Sequence, residues 1–212
     1  MNKLQIAFVA ILFNFYFGDC VMAEEKNQSK SDKATAFNPA SLVVDPHDKN
    51  IAIKVRNDGD QIIVDANFIV PVVPQQAWAV LTDFENIPNF NPDVLSSKIT
   101  GRTGNSLHVA QKSVTKYGFL NFAFESVREI NLLPFEKIQE RMVSGNMRKM
   151  EETTQLSPEG SQTRVTYHAV FVPGAWVPPM IGNNFIKHEA QAQFQKVVNE
   201  IIRRNQIQIA RR

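Results

Sequence analysis

The chain contains four histidines, His47, His108, His168 and His188, and any histidine-based metal site or proton relay would have to use them. None stands in an H-x3-H or H-E-x-x-H spacing. His188 and Glu189 are neighbours, which on a helix point in different directions. The plainer reading is of surface or strand-filling residues. For a nucleophile there is no G-x-S-x-G, and Ser144-Gly145 reads as a turn. The single cysteine, Cys20, sits in the N-terminal stretch, so neither a disulfide nor a cysteine cluster is available. Gly101-Arg102-Thr103-Gly104 lacks the lysine and the strand-to-helix context of a phosphate loop. Metal and cofactor are therefore both expected to be none. The carboxylates Glu125, Glu129, Glu140, Glu151 and Glu152 lie on strand-like stretches, where alternation turns about half outward. One acid buried on the concave side, beside Tyr167 or His168, would be a general acid or base.

These residues are carried by a strongly patterned chain. Of its 212 residues, 43% are hydrophobic and 21% charged, which excludes both a wholly disordered chain and a multi-span membrane protein. A net charge of +2 gives no argument for nucleic acid. Ile51, Ile53 and Val55 alternate with Ala52, Lys54 and Arg56, Asn57-Asp58-Gly59-Asp60 marks a tight turn, and Gln61 to Val70 reads as a second strand. Ala77, Trp78, Val80, Leu81 and Phe84 follow helical spacing behind Pro74. Asn86 to Pro92 is too rich in proline for more than a short turn. Six strands are predicted at 94–100, 106–115, 119–131, 135–143, 147–156 and 162–172, with turn residues between them that favour antiparallel hairpins. From Met180 to about Asn205 the apolar spacing predicts one long amphipathic helix. The expected fold class is α+β, with a curved antiparallel sheet wrapped on the long C-terminal helix and two short helices after the first core strand.

Residues 1–23 have the basic start, the apolar Leu4–Phe17 run and the small-residue ending of a secretory signal peptide, with cleavage expected before Glu24. A membrane anchor is the plainer alternative, but fourteen residues at 1.5 Å each fall well short of a hydrocarbon core of about 30 Å. A lipid attachment at Cys20 is opposed by the bulky, charged Asp19 before it. Cleavage would discard Lys3, Asp19 and Cys20, leaving +2 and no cysteine, which suits an oxidising periplasmic or secreted location. Residues 24–40 read as a disordered polar leader, 41–60 as an added N-terminal strand and turn, 61–205 as the main domain and 206–212 as a basic tail.

The stretch Val73-Pro74-Gln75-Gln76-Ala77-Trp78-Ala79-Val80-Leu81-Thr82-Asp83-Phe84-Glu85-Asn86-Ile87-Pro88-Asn89-Phe90 resembles the opening of the START-like (SRPBCC) superfamily. Its nearest branch is similar to the polyketide cyclase/dehydrase and coenzyme Q-binding-protein group. Val143-Ser144-Gly145-Asn146-Met147, Leu156-Ser157-Pro158-Glu159-Gly160, Thr163-Arg164-Val165-Thr166-Tyr167 and the final helix agree, so the resemblance spans roughly 61–205. It implies a helix-grip fold with an internal cavity for a hydrophobic small molecule. It implies no catalytic residues, because the superfamily shares none.

Given such a cavity, Phe122, Phe124, Tyr167, Trp176, Met180, Phe185 and Phe194 are the candidate ligand-binding residues, against the plainer reading of sheet–helix packing. Phe122 and Phe124 share a strand face, and the resemblance places the early turns of the helix, with Phe185, near the cavity mouth. Trp78 reads as a packing anchor. Arg141 is the candidate to face inward and hold a ligand's polar head, against the commoner outcome of a solvated arginine. The apolar loop around Trp176 reads either as a rigid elbow or as a lip making transient membrane contact. The expected function is binding and sequestration or transport of a quinone, isoprenoid or other lipid. The alternatives are a cyclase/dehydratase acting on a polyketide-like substrate and a protein-interaction module of the toxin-like branch. The former needs a glutamate beside Tyr167 or His168. The resemblance implies a ribosomal partner for the latter, against which export argues.

Overall fold

The computed structural model describes residues 51–117, 120–174 and 182–211. Eight antiparallel strands form one curved sheet: β1 (Ala52–Asp58), β2 (Gln61–Val70), β3 (Val94–Thr103), β4 (Ser106–Tyr117), β5 (Leu120–Leu133), β6 (Lys137–Gly145), β7 (Lys149–Glu159) and β8 (Gln162–Val172). The order across the sheet is β1-β2-β8-β7-β6-β5-β4-β3. Every neighbouring pair is a hairpin except β2 with β8, which joins the N-terminal hairpin to the end of the meander. The fold class read from the pattern is therefore the one found.

Two irregularities shape the sheet. The edge strand β3 shifts register against β4 between Val94 and Ser96 and again between Ile99 and Gly101. Between β5 and β6 the shift at Val127/Arg128 skips Val143, a bulge that bends the sheet beside Arg128. Gly145 follows with φ of 155°, and a Cβ there would lie 2.5 Å from the carbonyl oxygen of Glu125. Only glycine lets β6 approach β5 that closely.

Between β2 and β3 come α1 (Pro74–Leu81), a single 3-10 turn (Phe84–Asn86) and α2 (Ile87–Phe90). The C-terminal helix α3 (Asn183–Ala210) runs over the concave face. It extends into the stretch read from sequence as a basic tail. Its apolar side, with Ile186, Ala190, Val198 and Ile201, joins Ile53 of β1, Phe68 of β2 and Phe171 of β8 in the main core. Trp78 touches both that core and a smaller cluster built on Phe84, Leu107, Val109, Ile130 and Ile138. Polar ties fix the far half of α3: Gln76 donates to Asn205 at 2.8 Å, and Arg204 donates to Asp83 at 2.7 Å and to Glu200 at 2.6 Å.

Candidate functional site

Strand parity decides what α3 covers. On β5, Phe124, Ser126, Arg128 and Ile130 are all buried and alternate with outward residues. Their partners on β4 are Ser113, Gln111, Val109 and Leu107 respectively. The two ends of these inward rows differ in character. Leu107, Val109 and Ile130 pack solidly, whereas Gln111, Ser113, Ser126 and Arg128 line a cavity of about 170 Å³. An engineered apolar cavity of about 150 Å³ holds a benzene, so the space is ring-sized. Drug-sized sites run from about 300 Å³, so a larger ligand would insert only its head.

The walls are mainly apolar. Val80 and Leu81 come from α1, Ile87 and Phe90 from α2, Phe124 and Met150 from the sheet, Phe194 and Val197 from α3. A band of buried polar groups interrupts them. Arg128 donates through Nη1 to Glu140 at 2.7 Å and through Nη2 to Gln111, and it is only 8% exposed. Glu140 stands directly opposite Glu152 in the β6–β7 register, and Glu152 accepts a 3.0 Å hydrogen bond from the phenol of Tyr167. At the other end, Asp93 accepts through Oδ2 from Gln193 and from Lys196, each at 2.9 Å, which fastens α3 to the start of β3. Asn91 donates to Gln193 at 2.7 Å.

The band is not self-sufficient. Asp93 Oδ1, Ser113 Oγ, Arg128 Nε and Glu152 Oε1 are buried, belong to cavity-lining residues and have no hydrogen-bond partner among the described residues. Unpaired buried polar atoms are costly, about 1–3 kcal/mol each, unless something else satisfies them. Burial and the facing carboxylate of Glu140 push the Glu152 carboxyl up to about 8, against the opposing pull of Arg128 and Tyr167. It therefore carries its proton at neutral pH. Burial and the neighbouring glutamates also raise the Tyr167 phenol well above its ordinary value. The arrangement presents a neutral carboxylic acid and a phenol side by side, with a guanidinium nearby. That set can orient a polar ligand or relay a proton.

The sequence candidates separate clearly. Phe124 and Phe194 line the cavity, and the Phe194 ring packs edge-on against Tyr167 at 5.0 Å. Tyr167 faces inward and reaches the cavity through Glu152. Phe185 packs against the main core and not the cavity wall. Arg141 must be corrected. Strand alternation sets it with Gln139 on the convex face, its side chain 59% exposed and paired with Glu129. Arg128 is the arginine that faces inward. His168 is likewise outward, against Asp65 at 2.7 Å. The side chain of Phe122, and residues Trp176 and Met180, lie outside the described residues. Residues 1–50, with the signal-peptide and leader readings, lie outside them too. Missing from the sequence reading were Gln111, Ser113, Ser126, Arg128 and Asp93. Their parity with Phe124 and Ile130, or with Val109, was the available signal for the first four.

A profile of the family described as polyketide cyclase / dehydrase and lipid transport matches residues 70–197. The chain belongs to this family. Among curated proteins none matches the chain by sequence. Solved structures of the same fold include a STAR-related lipid transfer protein from Xanthomonas axonopodis. It has 14% identity and a TM-score of 0.61, with 72% of this chain and 94% of that one covered. The Zhui aromatase/cyclase from a Streptomyces species has 14% identity and a TM-score of 0.56, covering 68% and 95%. A START superfamily protein from Mycobacterium smegmatis has 14% identity and a TM-score of 0.52, covering 69% and 98%. Membership of this family makes the domain a START-like one that binds hydrophobic small molecules. β1 precedes the matched region.

Proposed function

We propose that the protein is an exported binder that sequesters or transports a hydrophobic small molecule of the quinone, isoprenoid or other lipid class. The observation that carries this reading is the partly open, largely apolar cavity between sheet and α3, whose lining residues carry four buried polar atoms without a partner among the described residues. Burial of the ligand's apolar surface supplies the affinity, at about 25 cal/mol per Å². The polar band orients its head. The cavity size supports entry of one ring or head group. The apolar stretch around Trp176 is proposed to make transient contact with a membrane during loading. Export rests on the layout of residues 1–23 and is tested by fractionation with N-terminal sequencing, which should read from Glu24.

Native mass spectrometry of protein purified from its own cells, followed by extraction, tests the binding reading. A co-purifying hydrophobic compound is expected. A protein that carries nothing, and takes up neither quinone nor other lipid when offered them, would defeat it.

The Glu152–Tyr167 pair supports a second reading, a cyclase/dehydratase acting on a polyketide-like substrate. A protonated carboxyl beside a phenol is what acid-assisted loss of water from a bound hydroxyketone requires. Turnover of such a compound by the wild type, abolished in Glu152→Gln with binding retained, would decide for catalysis.

A further inference from the structure

The cavity's charges and unpaired atoms restrict which hydrophobic molecule fits, an inference that rests on the binding reading above. Two cations bear on this interior: Arg128 lines it, and Lys196 lies behind the lining Asp93. Each already faces a carboxylate, Glu140 at 2.7 Å and Asp93 at 2.9 Å. A third acid, Glu152, lines the space with its Oε1 unpaired. An entering carboxylate or phosphate would find both cations already paired and the Glu152 carboxyl neutral, so its charge would be buried uncompensated, which is strongly unfavourable.

The unpaired atoms point the other way. Asp93 Oδ1 can only accept, and so needs a ligand N–H or O–H. Arg128 Nε can only donate, and so needs a ligand oxygen. Ser113 Oγ and the protonated Glu152 carboxyl serve in either sense. A hydroxyl group satisfies every one of these, since its oxygen accepts and its proton is donated. A bare hydrocarbon satisfies none and leaves all four atoms desolvated. A ketone or quinone oxygen satisfies Arg128 but leaves Asp93 Oδ1 unmet. The cavity volume of about 170 Å³ adds the size limit of one ring with short substituents.

We propose that the occupant of this cavity is a neutral, ring-sized molecule bearing hydroxyl groups, a phenol or compact cyclic alcohol, and not the anionic head of a fatty acid or phospholipid. Discrimination then comes from the site's own buried groups, which a ligand lacking the hydroxyls leaves unpaired.

The test is calorimetric titration of the purified protein at neutral pH with three probes on one frame: propylresorcinol, propylbenzene and the anion of propylbenzoic acid. Propylresorcinol is expected to bind at least tenfold more tightly than propylbenzene, and the anion more weakly than propylbenzene. Resorcinol and hydrocarbon binding within twofold of each other would overturn the proposal while leaving the binding reading in place. So would preference for the anion. Binding of none of the three would overturn the proposal too, while the binding reading is decided separately by uptake of quinone or lipid.

Discussion

The phenol of Tyr167 donates to Oε2 of Glu152 at 3.0 Å, and the pair is buried against the main core with Glu140 facing it across β6 and β7. Two glutamates thus share one arginine, and one proton is retained between them at neutral pH. In Tyr167→Phe, Glu152 loses its partner without a change of shape. A stability loss of about 1–3 kcal/mol is expected, read from urea unfolding.

The same pair makes stability depend on pH in a defined direction. Folded Glu152 holds its proton up to about 8, whereas the unfolded carboxyl releases it near its ordinary value of 4.5. Between those values the native state binds more protons than the unfolded one, so stability falls as pH rises through this window and levels above it. The full drop is on the order of several kcal/mol at most, at about 1.4 kcal/mol per unit. Urea midpoints measured across the window should flatten in Glu152→Gln.

Arg141→Ala should be nearly silent. Its pairing with Glu129 is on the convex face with the arginine 59% exposed, so a change within about 1 kcal/mol is expected, with ligand affinity unaltered. Arg128→Met, by contrast, removes the charge that compensates Glu140 in a buried setting. That should cost about 3–5 kcal/mol by the same denaturation measurement.

Ser126 is 5% exposed, lines the cavity and stands opposite Gln111 in the ladder. Ser126→Leu places an isobutyl group in the space a ligand ring would occupy. Binding of any ligand found by native mass spectrometry should drop by at least about tenfold, by analogy with other lost apolar contacts of 1.4 kcal/mol or more. Circular dichroism should remain that of the wild type.

Gly145→Ala should destabilise by about 1–3 kcal/mol, a thermal-melt measurement, because the added Cβ would lie 2.5 Å from the Glu125 carbonyl at a φ of 155°. The effect would also reach the bulge at Val143, next to the pairing of Arg128 with Met142.

The strands and the long helix were legible because β-alternation and helical spacing are strong signals where outward residues are polar. The polar band was much less so. At Ser113, Ser126, Arg128 and Glu152 polar residues occupy inward positions, while their outward neighbours mix polar Lys112, Glu125, Glu129 and Glu151 with apolar Val114 and Val127, so the two faces look alike. Glu151 and Glu152 are indistinguishable by composition. Only parity with buried Met150 and Leu156 assigns Glu152 to the interior. Arg141 could have been placed the same way, since Ile138 and Met142 hold the opposite parity on β6. The need for a glutamate beside Tyr167 was visible from the chemistry. Its partner's number was not, because it depends on register across β7 and β8. Asp93 could not be found locally at all, since its buried role is created by Gln193 and Lys196, a hundred residues away on α3.

The two register slips in β3 bear on how this sheet ends. Backbone groups along a free strand recruit a neighbour only when they keep step over several residues. Along β3 the rhythm is broken at Val94/Ser96 and again at Ile99/Gly101, with Lys98 and Arg102 adding charge. A foreign strand laid there would fall out of phase after a few residues. The protein thereby protects its outer margin from runaway stacking, even though exposed Leu95 makes that margin sticky.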